Sequence, residues 1–190
     1  MYRKPQPRNQ SCFRFVPGKP SEAEMNRSMQ TGLSAAISGT VVSIVTTAVL
    51  GLLARNEGKG ALQPTNSTSH WLYGRKAGSV RHADVAHTLV GYGTHHASSI
   101  FWALLFETWL ASRPPRPPLV MLRDALGAAA IAAAVDYGIV PRRLTPGWET
   151  VLSKRSIAAT FMAMAAGLAA GGMINNEFRR KPGPGWKDAR

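Results

Sequence analysis

The residues best suited to chemistry are histidines and aspartates in the middle of the chain. His87, His95 and His96 lie within one apolar stretch, Asp84 comes just before it, and Asp136 lies in a later apolar stretch. Imidazole nitrogens and carboxylate oxygens are suitable ligands for divalent transition metals. These five residues therefore form a candidate site for a transition metal, and the histidines are candidate ligands of a haem.

The spacing of the histidines fits a single ion poorly. His95 and His96 are adjacent, so on a helix their side chains diverge by about 100°. His82 and His87 are five positions apart, which also directs them away from a common point. A haem held by two histidines needs His70 or a second copy of the chain, because the later apolar stretches contain no histidine. Histidines in membrane helices usually form hydrogen bonds with neighbouring helices, and we expect that role here.

Other polar residues share a helix face or a depth with these histidines. Tyr92 and Ser99 fall on the same face as His95 when successive residues are placed about 100° apart. Three charged residues lie at matching depths on the two sides of a proline-rich turn: Glu107, Arg123 and Asp124. We predict that they form an ion-pair cluster around Arg123 that fastens a helical hairpin.

Other kinds of chemistry have weaker support from the sequence. Histidine titrates near neutral pH, so the polar residues could relay protons. Residues 88–93 echo the filter of potassium channels, but that filter needs extended backbone in a tetramer, whereas Tyr92 is in helical phase with His95. Ser98 or Ser99 beside His95 could form a nucleophile pair, yet neither a nucleophile elbow nor a phosphate-binding loop accompanies them. We expect a protein that is not an enzyme.

Four apolar stretches must position these residues. They cover residues 32–54, 85–106, 119–140 and 156–175. A bilayer core of about 30 Å requires roughly 20 apolar residues of helix. Prolines or a Pro-Gly turn interrupt the later connections, and prolines stop helices. We predict an all-α fold: an integral membrane bundle of four transmembrane helices at residues 32–178, with short loops and two basic tails, a Pro-rich one at 1–31 and another at 179–190.

The charge of the chain indicates partners and orientation. It has 23 Lys and Arg against 10 Asp and Glu, a formal net charge of +13. Lys and Arg are more frequent in the two tails and the second loop than in the other loops, which favours cytoplasmic termini. The basic tails are expected to contact anionic lipid headgroups, and no nucleic-acid recognition motif accompanies the charge. The single cysteine, Cys12, excludes a disulfide framework.

Small residues recur at every fourth position of two apolar stretches. The first stretch has Ala35, Gly39, Ser43, Thr47 and Gly51, and the last has Ala159, Ala163, Gly167 and Gly171. Such stripes let helices approach closely, and we expect most of them to pack within the chain. They could also hold a second copy or a membrane protein partner. The sequence favours a non-enzymatic structural or accessory subunit, with a metal- or haem-binding or proton-handling protein as the alternative.

Three stretches of sequence carry a resemblance to a known group. They are Pro64-x-Asn66-x-x-Ser69-His70-Trp71, the segment from His87-Thr88 through Gly91-Tyr92 and His95-His96 to Phe101-Trp102-Ala103, and Asp136-Tyr137 with residues 141–149. These resemble a group of small, uncharacterised four-helix bacterial inner-membrane proteins. The resemblance covers residues 32–175 and implies a bacterial origin and a multi-pass inner-membrane location. It implies no activity.

Overall fold

The computed structural model describes residues 21–180, and all regular secondary structure in this range is helical. The helices are α1 (Glu22–Asn56), α2 (Gln63–Ser67), α3 (His70–Tyr73), α4 (Val85–Ala111), α5 (Pro118–Gly138) and α6 (Lys154–Arg180). Short 3-10 turns cover Arg75–Ser79 and Trp148–Thr150. The all-α prediction is confirmed for the described part of the chain, which contains no strand.

The first helix begins earlier than the apolar stretch that it contains. Ser21 and Glu24 form a capping box, in which the Glu24 amide donates to Ser21 Oγ and the Ser21 amide donates to Glu24 Oε2. Such a box satisfies the free amides of a first helical turn. Residues 22–31, predicted as tail, therefore belong to α1, whereas residues 1–20 and 181–190 of the two predicted tails lie outside the described residues.

Three of the described helices are long and apolar enough to cross a membrane, and they are α1, α5 and α6. The α4 helix has 27 residues but is not among them. Its threonine, tyrosine, histidine, serine and glutamate residues lower its hydropathy. By contrast, α5 qualifies although it carries three charged residues. Three of the four predicted spans thus coincide with candidate membrane-spanning helices.

The α1 helix lies between α4 and α6 and runs antiparallel to both. Near its middle, Ser38 contacts Glu107 of α4 and Asn175 of α6, and farther along Thr46 contacts His95. The α5 helix packs mainly against α6 and only slightly against α4. We call the end where α1 stops and α4 and α6 begin the loop end, and the opposite end the tail end.

Glycines allow the helix backbones around α1 to approach closely. A Cβ added to Gly171 would lie 2.6 Å from the Ser38 Cα, and one added to Gly39 would lie 2.5 Å from the Ile100 Cα. Neither distance is possible without moving a helix. The small-residue stripes therefore pack within the chain at these glycines, as expected from the sequence.

Gly171→Ala should consequently destabilise the bundle. Overpacking a close contact typically costs 1–3 kcal/mol, although alanine favours a helix by about 1 kcal/mol over glycine. The matched control is Gly93→Ala, because a Cβ at this exposed position of α4 meets nothing within 4 Å. Thermal unfolding in detergent should show a lower Tm for Gly171→Ala and an unchanged or higher Tm for Gly93→Ala. Equal Tm values for the two variants would contradict the packing described here.

A carboxylate at the loop end ties the end of α1 to the start of α6. Glu57 accepts hydrogen bonds from Ser153 Oγ at 2.7 Å and from Ser156 Oγ at 2.5 Å, and the Ser153 amide also donates to it. These bonds, first from Ser156 and then from Ser153, lower the pKa of Glu57 below its ordinary value. The ionised form of Glu57 is therefore the one that stabilises this junction.

Replacing Glu57 should reduce the pH dependence of stability. Because its folded pKa lies below the unfolded value of about 4.3, its contribution is complete above that pH and is lost as the pH falls through the folded pKa. Glu57→Gln should lower the Tm at neutral pH. When the pH falls below about 4.3, the Tm of this variant should decrease less than the Tm of the unmodified chain. Glu22→Gln, at an exposed position at the start of α1, is the control. An unchanged acid dependence in Glu57→Gln would count against this role.

Candidate functional site

A half-open cavity of about 300 Å³ lies at the loop end of the bundle. Helix residues and loop residues both line it, and the principal ones are Thr46, Trp71, His95, Ser99, Trp102, Asp136, Trp148 and Phe161. The volume is at the lower end of the range found for small-molecule sites. The cavity combines aromatic walls with a few polar groups, which is the usual composition of such sites.

His95 forms part of the cavity wall and is held by α1. Its side chain is on the buried face of α4, and the residue is 8% exposed. Its Nε2 lies 2.7 Å from Thr46 Oγ1, which is also 2.7 Å from the Val42 carbonyl oxygen. Since the single hydroxyl proton of Thr46 is directed to Val42, we assign the proton of the other bond to Nε2 of His95. The edge of Trp148 packs against the same imidazole.

His96 and Tyr92 contact α1 at a neighbouring position outside the cavity lining. The Nδ1 of His96 lies 2.8 Å from Ser43 Oγ, and the Tyr92 ring stacks on the imidazole with centroids 5.8 Å apart. His95 and His96 therefore each bond a different hydroxyl of α1. The expectation that these histidines form hydrogen bonds between helices is confirmed.

Asp84 and His87 form a separate pair at the start of α4. Asp84 caps the helix by accepting the Ala86 amide, and its Oδ2 lies 2.7 Å from Nδ1 of His87. This contact with His87 is the main reason why the pKa of Asp84 lies below its ordinary value. The Tyr73 ring packs against the His87 ring, with centroids 4.6 Å apart.

Asp136 lies on the cavity wall together with Trp102. The five candidate metal ligands are thus divided among three places: Asp84 with His87, His95 and Asp136 around the cavity, and His96 beside Ser43. Within residues 21–180, no three His, Cys, Asp or Glu side chains are grouped so that they could hold a metal ion. A bound transition metal or haem stays a prediction. In the described part of the chain, the candidate ligands do not meet at a common point.

The charged residues predicted as one cluster are in two different places. Glu107 is 0% exposed and accepts hydrogen bonds from Ser38 Oγ at 2.6 Å and from Asn175 Nδ2 at 2.8 Å. Arg123 bonds Asp124 at 3.0 Å, and Asp124 also bonds Arg116 at 2.7 Å. The predicted cluster is therefore corrected: Arg123 shares Asp124 with Arg116, and Glu107 lies in the interface with α1 and α6. The reason is that α4 turns this face toward α1 rather than toward α5.

The sequence did not reveal the role of α2, which is a buried part of the loop end. Asn66 is completely buried; its Nδ2 donates to the carbonyls of Val80 and His82, and its Oδ1 accepts from Thr88 Oγ1. A Cβ on Gly91 would lie 2.0 Å from the Thr65 carbonyl oxygen, so this glycine lets α2 approach α4. Residues 88–93 accordingly lie in a helix and not in a channel filter. The available signal was a run of uncharged, hydrogen-bonding residues between two helices.

Asn66→Leu should open the loop that leads into α4. The change removes the three hydrogen bonds of the Asn66 side chain, each of which typically contributes about 0.5–1.5 kcal/mol to stability. Trypsin should cut faster after Arg75, Lys76 or Arg81 in the detergent-solubilised variant. The matched control is Asn176→Leu, because Asn176 is buried at the tail end. Equal cleavage in the two variants would show that Asn66 does not hold the loop.

The comparison with known proteins adds no family to these observations. No match was found to a protein-family model, to a curated protein or to a solved structure. The resemblance to small bacterial inner-membrane proteins therefore stays a prediction.

Proposed function

We propose that the chain is a multi-pass protein of a bacterial inner membrane, with α4 as a fourth transmembrane helix and both termini in the cytoplasm. With 27 residues, α4 is about 40 Å long, which exceeds the thickness of a bilayer core. Its exposed positions include Leu89, Phe101, Leu104 and Leu105, whereas three of its polar side chains bond α1: His95, His96 and Glu107. Polar residues of membrane helices normally face the bundle in this way. The orientation rests on the distribution of Lys and Arg, and the bacterial location rests on the sequence resemblance.

We further propose that the protein is a non-enzymatic accessory subunit that binds a small organic cation in the loop-end cavity. The observation that carries this proposal is the lining of the cavity. It contains three tryptophans and one carboxylate, Asp136, and its described lining residues include neither Lys nor Arg. Aromatic faces attract ammonium groups, and a carboxylate adds an opposite charge. This lining is unusual in a chain whose net charge is +13.

The arrangement of Ser99 and His95 in the cavity wall supports binding rather than nucleophilic catalysis. The Ser99 hydroxyl donates to the His95 carbonyl oxygen at 2.8 Å, so its proton is directed to the backbone of its own helix. Nε2 of His95 is directed to Thr46. The Ser99 hydroxyl is thus not paired with the imidazole as a nucleophile activated by a base would be.

Proton handling is the second candidate, because the two titratable groups in the described lining face the same cavity. They are His95 from α4 and Asp136 from α5. Together with water they could form a short proton path, since an imidazole has one nitrogen that donates and one that accepts a hydrogen bond. This function needs no selectivity for organic cations, which separates it from the first proposal.

The cation proposal is tested with phenethylammonium and its neutral analogue phenethyl alcohol on the full chain in detergent. Tryptophan fluorescence should report saturable binding of phenethylammonium that is at least about fivefold tighter than binding of the alcohol, as expected for a cation at an aromatic wall. Asp136→Asn should remove this preference. Glu177→Gln, an exposed position at the tail end, should retain it.

Two results would overturn the cation proposal. One is equal affinity for the two compounds, and the other is an unchanged preference in Asp136→Asn. Either result would favour proton handling if the tryptophan fluorescence also depended on pH. Because Trp148 packs against His95, this pH dependence should be lost in His95→Gln.

A further inference from the structure

A second opening lies between α4 and α5 at the tail end, on the outside of the bundle. It has a volume of about 500 Å³ and exists because α5 packs against α6 and hardly touches α4. Its walls are Leu105, Phe106 and Trp109 from α4 and Gly127, Ala128 and Ile131 from α5. We call it the tail-end groove. A Cβ at Gly127 would meet nothing within 4 Å, which shows that the groove is open at this point.

One end of the tail-end groove is basic. The guanidinium groups of Arg113 and Arg116 lie over the Trp109 ring, 4.4 Å and 4.8 Å from its centroid. Arg123 lines the groove and its side chain is 73% exposed. Asp124 is the carboxylate that lines this end, and it is shared by Arg116 and Arg123. Three arginines beside one aspartate leave an excess of positive charge.

The basic end and the apolar walls are aligned along α5. Arg123 and Ile131 are separated by about 12 Å along the helix axis, since each residue adds about 1.5 Å. Trp109 lies at the basic end, and tryptophan is enriched where membrane helices meet the headgroup region. The positive charge at one end of the groove complements an anionic headgroup, and the apolar walls complement the hydrocarbon part of the same molecule.

We propose that the tail-end groove binds one anionic phospholipid. Its phosphate contacts Arg113 and Arg123, and one acyl chain lies between Trp109 and Gly127. Guanidinium groups bind phosphate oxygens through paired hydrogen bonds, and basic pockets between transmembrane helices bind anionic headgroups at the cytoplasmic side. The site rests on the membrane location given under the proposed function. It is separate from any ligand of the loop-end cavity, although Trp102 lines both openings.

The test is native mass spectrometry of the full chain in detergent, titrated with phosphatidylglycerol or phosphatidylcholine of identical acyl chains. Phosphatidylglycerol should bind more tightly, by about fivefold for each arginine that contacts the phosphate, because one basic residue contributes about 1 kcal/mol. Arg123→Gln should weaken binding of phosphatidylglycerol alone, and Arg155→Gln, which removes the same charge at the loop end, should not. Gly127→Leu should weaken binding of both lipids, because its side chain fills the groove.

The matched control for Gly127→Leu is Gly93→Leu, another exposed glycine with open space around it that does not line the groove. Equal binding of the two lipids, or equal effects of the two glycine variants, would overturn the proposal. The proposal would also be overturned if the protein purified as a dimer, or with a second membrane helix, and Gly127→Leu released that partner. The groove would then hold protein. The cation assay depends on Asp136, whereas the lipid assay depends on Arg123 and Gly127, so failure of one proposal is distinguishable from failure of the other. Recovery of the chain in the soluble fraction would overturn both proposals.

Discussion

Polar side chains of α4 bond α1 at three levels along the two helices. His95, His96 and Glu107 bond Thr46, Ser43 and Ser38, which are spaced along one face of α1. Buried polar groups without partners are costly, so this match fixes the depth and rotation of α4 against α1. Gly39 permits the necessary distance between the two backbones. Both openings of the bundle follow from this arrangement, because α4 is held by α1 and leaves α5 to pack on α6.

Hydropathy and small-residue spacing are local properties, and they predicted the helices and the close crossings at Gly39 and Gly171 well. Partners that depend on rotation were harder to predict. Glu107 and Arg123 have matching depths in the sequence, yet Glu107 faces Ser38 because the same face of α4 carries His95 and Ser99. Depth alone therefore cannot identify a partner. The structure of α2 was also beyond sequence patterns, since its polar residues read as a loop while residues 63–69 are all buried.

The two ends of the bundle differ in electrostatic character. The loop-end cavity has a carboxylate among aromatic rings, whereas the tail-end groove has an aspartate shared by two arginines and a third arginine over the Trp109 ring. Between them lie α1 contacts made by hydroxyl, amide, imidazole and carboxyl groups, which hold the helices of the interior together. A ligand and a lipid would thus occupy sites of opposite charge preference. Trp102 is the side chain through which occupancy of one site could alter the shape of the other.

The burial of α2 has a consequence for biogenesis. Asn66 bonds the carbonyls of Val80 and His82 and the hydroxyl of Thr88, and Thr68 bonds Trp148, so the partners of this segment are synthesised after it. The segment cannot reach its final position while only α1 has emerged from the ribosome. Closure of the loop end must therefore follow the arrival of α4 and of the turn before α6. A chain arrested before that step would have formed its first helices but no cavity, so formation of these helices and formation of the cavity are separate events in its maturation.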